Sequence, residues 1–105
     1  MSSDLYTTGS GSLELRRNPE LTELDGVKAA LLEQLQENEP GATLDMTGMP
    51  AISSTTIGMA VAVHLRAVEA GRTLTVRIRE DQKRLFELTM LTNTLTLEVA
   101  ADNRT

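Results

Sequence analysis

The chain keeps changing its hydrophobic period. Apolar residues recur at every second position in residues 12–16, 42–47, 73–79 and 94–99, and at every third or fourth position in the stretches between. A period of two belongs to a half-buried strand, and a period near 3.6 to an amphipathic helix. Strands that alternate with helices of this length pair as parallel neighbours through right-handed crossovers. The predicted fold class is therefore α/β: a mixed four- to five-stranded sheet with helices packed against it.

Each element has its own signals. In residues 12–16, Leu13 and Leu15 alternate with Ser12, Glu14 and Arg16. Asn18 and Pro19 interrupt the run, because proline would remove a ladder hydrogen bond. Any strand resuming at residues 20–22 is predicted to be short or at an edge. Residues 24–37 carry Leu24, Val27, Leu31 and Leu35 at helical spacing, and Asn38, Glu39, Pro40 and Gly41 stop that helix. Ala42, Leu44 and Met46 share one strand face, and the residues around Gly48, Met49 and Pro50 form a loop. A second helix over residues 57–70 shows a stripe of Ile57, Val61, Leu65 and Val68, thickened by Ala60 and His64, with Gly71 as its left-handed cap. Leu74, Val76 and Ile78 point inward from the next strand. Asp81 is the predicted cap of a third helix reaching Leu91, with Leu85, Phe86 and Leu88 as its apolar contacts. Leu95, Leu97 and Val99 share one face of the last strand.

The 105 residues suit one domain, which buries roughly 65% of the surface its unfolded chain exposes. Residues 1–11 hold three Ser, two Thr and two Gly without an apolar period, and read as a flexible N-terminal tail. Residues 12–100 form the predicted domain and residues 101–105 a C-terminal tail.

Several function classes are excluded by what the chain lacks. With no cysteine it has no disulfide framework, thiolate zinc site or cysteine nucleophile, and one histidine cannot make a multi-histidine metal site. A net charge of −5 with one Tyr, one Phe and no Trp leaves neither the positive funnel nor the stacking rings of a nucleic-acid platform. No apolar run approaches the roughly 20 residues of a membrane span, and residues 1–11 lack the basic start and apolar stretch of a secretory signal. No membrane insertion is expected, and a cytoplasmic location follows.

Residues 43–58 read Thr-Leu-Asp-Met-Thr-Gly-Met-Pro-Ala-Ile-Ser-Ser-Thr-Thr-Ile-Gly. This block resembles the signature of the STAS family, the fold of the anti-anti-sigma factors (anti-sigma factor antagonists). In that family a strand ends in aspartate and a small polar residue. A loop follows, then a turn of Asp-Ser-Ser-Gly type and a Leu-Gly opening a helix. Leu44 to Thr47 resembles the strand, and Ile57-Gly58 the helix start. Pro19-Glu20-Leu21-Thr22 is similar to an early family turn, residues 70–74 to the turn into the fourth strand, and residues 85–91 to the third helix. The likeness covers about residues 12–99. It departs from the family where Ser53 stands for the acidic residue and Thr56 for glycine, which sets a β-branched side chain where a kinase would meet bare backbone.

The resemblance implies a regulatory protein-binding domain that works by partner switching in transcription regulation. Its partner would be an anti-sigma factor or serine kinase of the histidine-kinase-like ATPase type, and the ATP would belong to that partner. Thr55 matches the family's phosphorylated serine and Ser54 its neighbour, so both are phosphorylation candidates. The expected partner-binding set is Met49, Ser53, Ser54, Thr55, Thr56 and Gly58, with Asp45 supporting the loop from the strand end. STAS domains also serve as stable subunits of transport systems, so a transporter ATPase, as in phospholipid-trafficking ABC systems, is the alternative partner. Homodimer formation is left open.

The residues themselves allow three readings of the hydroxyl cluster 53–56. Ser and Thr are preferred helix N-caps. A phosphate at a helix N-terminus meets unpaired N–H groups and adds about −1.5 to −2 charge, enough to repel a docked partner. The cluster can also be a fixed docking surface beside Met49, Pro50 and Ala51. His64, inside an apolar stripe, reads as a buried or half-buried structural residue. Asp45 points away from the Leu44 and Met46 face; the resemblance implies a place close to the switch loop, where it either hydrogen-bonds loop amides or shapes the kinase site. Arg77, Arg79, Lys83 and Arg84 read as a solvated basic row or a contact for an acidic partner. No nucleophile elbow, paired carboxylates or phosphate-cradling loop is present. No catalytic residue, cofactor or metal is expected, and the chain is read as a non-enzyme.

Overall fold

The structure is a computed structural model and describes residues 4–88 and 94–100. In chain order it holds β1 (Tyr6–Gly9), β2 (Ser12–Leu15), a 3-10 turn (Leu21–Glu23), α1 (Leu24–Glu37) and β3 (Gly41–Asp45). There follow α2 (Ser54–Glu69), β4 (Thr73–Ile78), α3 (Glu80–Leu88) and β5 (Thr96–Val99). The five strands lie in sequence order across one sheet. β1 runs antiparallel to β2, and every later pair is parallel. The expected mixed α/β sheet is the one observed.

Because the strands advance in one direction, crossovers of constant hand put every helix on the same side. Burial follows that geometry. Leu13, Leu15, Leu44, Leu74, Val76 and Ile78 are fully covered, together with Val27 and Leu31 of α1, Val63 of α2 and Phe86 of α3. The alternate strand positions make a polar face. One row runs Glu14, Asp45, Arg77 and Glu98 in register across four strands, and the next runs Ser12, Thr43, Thr75 and Thr96. At Gly41, β3 and β4 approach so closely that a Cβ would come within 1.8 Å of the Thr73 carbonyl oxygen. Gly71 caps α2 with φ +71°, as its position predicted.

Four expectations are corrected. Residues 6–9 are a strand and not part of a tail: Tyr6 faces Leu15, Gly9 faces Ser12, and Leu5 is buried in the core. The small residues that looked flexible form a two-residue hairpin turn in which Gly11 takes φ +79°. Residues 20–22 begin a 3-10 turn instead of a strand, because Glu23 reaches back to the Glu20 amide at 2.9 Å and closes a capping box.

In α2 the buried residues are Thr56, Ile57, Met59, Ala60, Val63 and Ala67, whereas Leu65 and Val68 are 54% and 59% exposed. The helix is turned roughly a third of a revolution from the expected stripe. Ala60, Val63 and Ala67 allow close packing of the helix, whereas Leu65 and Val68 face out. In α3, Phe86 is buried and Leu85 half-buried, but Leu88 is 70% exposed and Asp81 lies inside the first turn. The opening of that helix is closed by Gln82, whose Oε1 accepts from the Arg79 amide at 2.7 Å. The expected continuation to Leu91 and both outermost tails lie outside the described residues.

Candidate functional site

The start of α2 is built by four consecutive hydroxyl residues, each with a different task. Ser53 is extended (φ −81°, ψ 160°), and its Oγ accepts from the Thr56 amide at 3.1 Å, so it is the N-cap. Its carbonyl accepts from the Ile57 amide at 3.1 Å. Ile52 and Ile57 flank the cap on either side, both packed against the core, in the positions of a hydrophobic staple. Thr56 is fully buried. Ser54 and Thr55 are exposed on the first turn.

A second segment secures this helix start. Asn18, after β2, accepts on Oδ1 from the Ser53 amide at 2.9 Å and from the Thr56 hydroxyl at 2.8 Å. Its Nδ2 donates to the Ala51 carbonyl at 3.1 Å. Since Thr56 Oγ1 gives its proton to Asn18, the 3.1 Å contact between the two hydroxyls must be Ser53 donating to Thr56. Both inner hydroxyls are spent, and the outer two face solvent.

The loop before the helix is held from the other side. Gln82, 7% exposed, donates from Nε2 to the carbonyls of Met46 at 2.9 Å and Met49 at 3.1 Å. Arg79 Nη1 donates to the carbonyls of Thr47 and Met49, the latter at 2.9 Å. The same guanidinium grips Asp81 with two bonds of 2.9 and 3.0 Å, which raise its pKa above the usual value. Asp45 Oδ1 accepts from the Thr47 amide at 2.9 Å and the Thr47 hydroxyl at 2.7 Å, closing the strand end as an Asx turn. Its other oxygen lies 3.5 Å from Arg77.

The site expectations fare unevenly against this geometry. Ser54 and Thr55 are presented as read, and Gly58 is exposed, with nothing within 4 Å of where its Cβ would sit. Asp45 does reach a loop amide. Met49 and Thr56 do not belong to a docking surface, because both are fully buried. Met49 packs into the core, and Thr56 turns inward to meet Asn18, so it does not cover the backbone a kinase would approach. Ser53 is half-buried and occupied as the cap.

Arg77 and Arg79 are no free basic row: Arg77 lies against Asp45 and Glu98, and Arg79 clamps the loop. His64 is half-buried, with its Nδ1 enclosed and without a hydrogen-bond partner among the described residues. Asn18 and Gln82 were missed as site residues. Gln82 carried a readable signal, a glutamine three positions after the residue preceding a helix. Asn18 had only its place before Pro19.

Among the described residues no group of His, Asp and Glu is arranged to hold a metal ion, and no helix is long and apolar enough to cross a membrane.

The arrangement is a rigid, exposed hydroxyl pair at the mouth of a helix on a mixed α/β scaffold, and the same fold occurs in solved proteins. An anti-sigma factor antagonist from Mycobacterium paratuberculosis superposes with TM-score 0.70 at 16% identity, over 94% of this chain and 86% of that one. A candidate anti-sigma factor antagonist from Thermotoga maritima gives 0.66 at 16% identity, over 88% and 82%. No family model and no curated protein matches the sequence. The chain has the STAS-domain fold of the anti-sigma factor antagonists.

Proposed function

We propose that the chain is a cytoplasmic, non-enzymatic regulatory domain that acts as an anti-anti-sigma factor. It would bind an anti-sigma factor or serine kinase of the histidine-kinase-like ATPase type through the mouth of α2. One observation carries this reading: of the four hydroxyls at residues 53–56, Ser53 and Thr56 are consumed internally, while Ser54 and Thr55 stand exposed on a fixed base. The two structural neighbours support it, each being described as an anti-sigma factor antagonist or a candidate for one.

The switch is local. The partner's ATP gives its γ-phosphoryl group to Thr55 or Ser54, the hydroxyl proton leaves, and ADP remains with the partner. The new phosphate sits where first-turn N–H groups lack helical acceptors and where α2 has no acidic side chain of its own. The domain therefore stays folded while about −1.5 to −2 units of charge enter the contact surface and eject the partner.

The test is to incubate the chain with its cognate kinase and ATP and to follow intact mass and peptide maps. One phosphate on Thr55 or Ser54, absent when both are alanine, is the expected result. No added phosphate on either residue sinks the switch. Purification from the native host checks the partner class. A kinase or sigma regulator is expected, and an ATPase recovered together with a permease would contradict it.

A further inference from the structure

Ser53 is half-buried, so cover alone does not separate it from the exposed Ser54 and Thr55. What separates it is the direction of its proton. The Asn18 side chain has one orientation that suits its neighbours: Nδ2 donates to the Ala51 carbonyl at 3.1 Å, and Oδ1 accepts from the Ser53 amide at 2.9 Å. The Thr56 hydroxyl therefore donates to Oδ1 at 2.8 Å, and its oxygen is left to accept from Ser53 at 3.1 Å. On its other side the Ser53 oxygen accepts from the Thr56 amide at 3.1 Å. The Ser53 proton thus points at a side chain that is fully buried. The chain of hydroxyls beyond it ends at an amide oxygen, which accepts hydrogen bonds but holds no proton. Ser54 and Thr55 differ, because no side-chain bond among the described residues engages their hydroxyls.

We propose that Thr56 is the specificity-determining residue of the hydroxyl cluster: it turns the Ser53 proton inward and confines phosphorylation to Ser54 and Thr55. The inference rests on the reading of that pair as the site the partner modifies. Transfer of the γ-phosphoryl group of the partner's ATP forms an O–P bond at the hydroxyl oxygen and breaks the bond to ADP. The hydroxyl proton passes to a carboxylate of the kinase placed against it. Such a base reaches the exposed hydroxyls of Ser54 and Thr55. It reaches the Ser53 proton only after the bond to Thr56 is broken, and a phosphate on Ser53 would leave the buried Thr56 oxygen without its donor.

The experiment incubates the full chain and four variants with the kinase partner and ATP, and maps phosphate residue by residue through peptide fragmentation. Wild type is expected to carry phosphate on Ser54 or Thr55 and not on Ser53. Thr56→Val and Thr56→Ala, both without the hydroxyl, are each expected to carry at least tenfold more phosphate on Ser53 than wild type. Thr56→Ser keeps the hydroxyl and is expected to match wild type. Gln82→Leu loosens the loop but removes no bond of the relay, so Ser53 is expected to stay bare. If the Thr56→Val and Thr56→Ala chains are modified only on Ser54 or Thr55, the role of Thr56 is wrong and the hydroxyl site stands. Phosphate on Ser53 in wild type overturns the proposal. So does a Ser53 signal in Gln82→Leu equal to that in Thr56→Val, which would assign the effect to loosening of the fold. No phosphate on any form sinks the site reading and this inference with it.

Discussion

Asn18 accepts the Thr56 hydroxyl proton at 2.8 Å across 38 positions of sequence, and this bond fixes the direction of the whole hydroxyl relay. An amide oxygen can only accept, so Thr56 donates to Asn18 and Ser53 donates to Thr56. The relay predicts that Thr56→Val, which keeps shape and removes the hydroxyl, destabilises the domain by about 1–2 kcal/mol. Ser53→Ala, which removes the N-cap oxygen, is predicted to cost about 1 kcal/mol. Urea unfolding measures both, and wild-type midpoints would show that the relay contributes nothing.

Gln82 predicts a larger effect. Its amide satisfies the Arg79 N–H and two carbonyls, of Met46 and Met49, from a nearly enclosed position. Gln82→Leu keeps much of the volume, strands the Arg79 N–H at a cost of about 1–3 kcal/mol when buried, and takes one of two donors from each carbonyl, since Met46 keeps the Met49 amide and Met49 keeps Arg79. A loss above about 2 kcal/mol in urea unfolding is expected; a change below about 1 kcal/mol would mean that solvent replaces its bonds.

Two glycines should respond in opposite directions. Gly58 lies in α2 with open space around it, so Gly58→Ala is predicted to stabilise the domain by about 0.5–1 kcal/mol. Gly41→Ala would drive a methyl group to 1.8 Å from the Thr73 carbonyl oxygen and is predicted to part β3 from β4. Thermal unfolding read by circular dichroism separates the two outcomes: a raised midpoint for the first, and a collapsed or absent transition for the second.

The Arg17–Glu23 pair predicts a pH dependence with a definite sign. Hydrogen bonds from Arg17 and from the Glu20 amide hold the Glu23 carboxyl at about 2, below its ordinary 4.5. A lowered carboxyl pKa adds stability above the unfolded value and loses it as pH falls through the folded value. The stability gap between wild type and Glu23→Gln is therefore expected to be full above about pH 4.5 and to close toward pH 2. A gap that stays constant across this window contradicts the assignment.

Strand and helix content was legible where one period dominated. Residues 24–37 and 73–78 matched the structure because their apolar spacing had one reading. Residues 6–9 were not legible, since an edge strand in a hairpin takes its stability from a partner that a local window does not contain. The face of α2 was misread for a related reason: spacing alone puts Leu65 and Val68 on one stripe with Ile57, but tertiary packing buries Ile57, Met59, Ala60, Val63 and Ala67 and leaves those two outside. At the site, the exposed pair and the Asp45 contact could be read from the chain. The inward turn of Thr56 could not, because its partner Asn18 is far away in sequence. A β-branched residue at that position looked like an obstruction and is instead a buried tie.

On the proposed reading, Ser54 and Thr55 form a partner surface that phosphate closes. The most direct test compares the affinity of the purified ATPase partner for the unmodified chain and for the same chain phosphorylated on Thr55 or Ser54. A loss of at least tenfold on phosphorylation, with an unchanged far-ultraviolet circular dichroism spectrum, is the predicted result. Equal affinity for the two forms would contradict it.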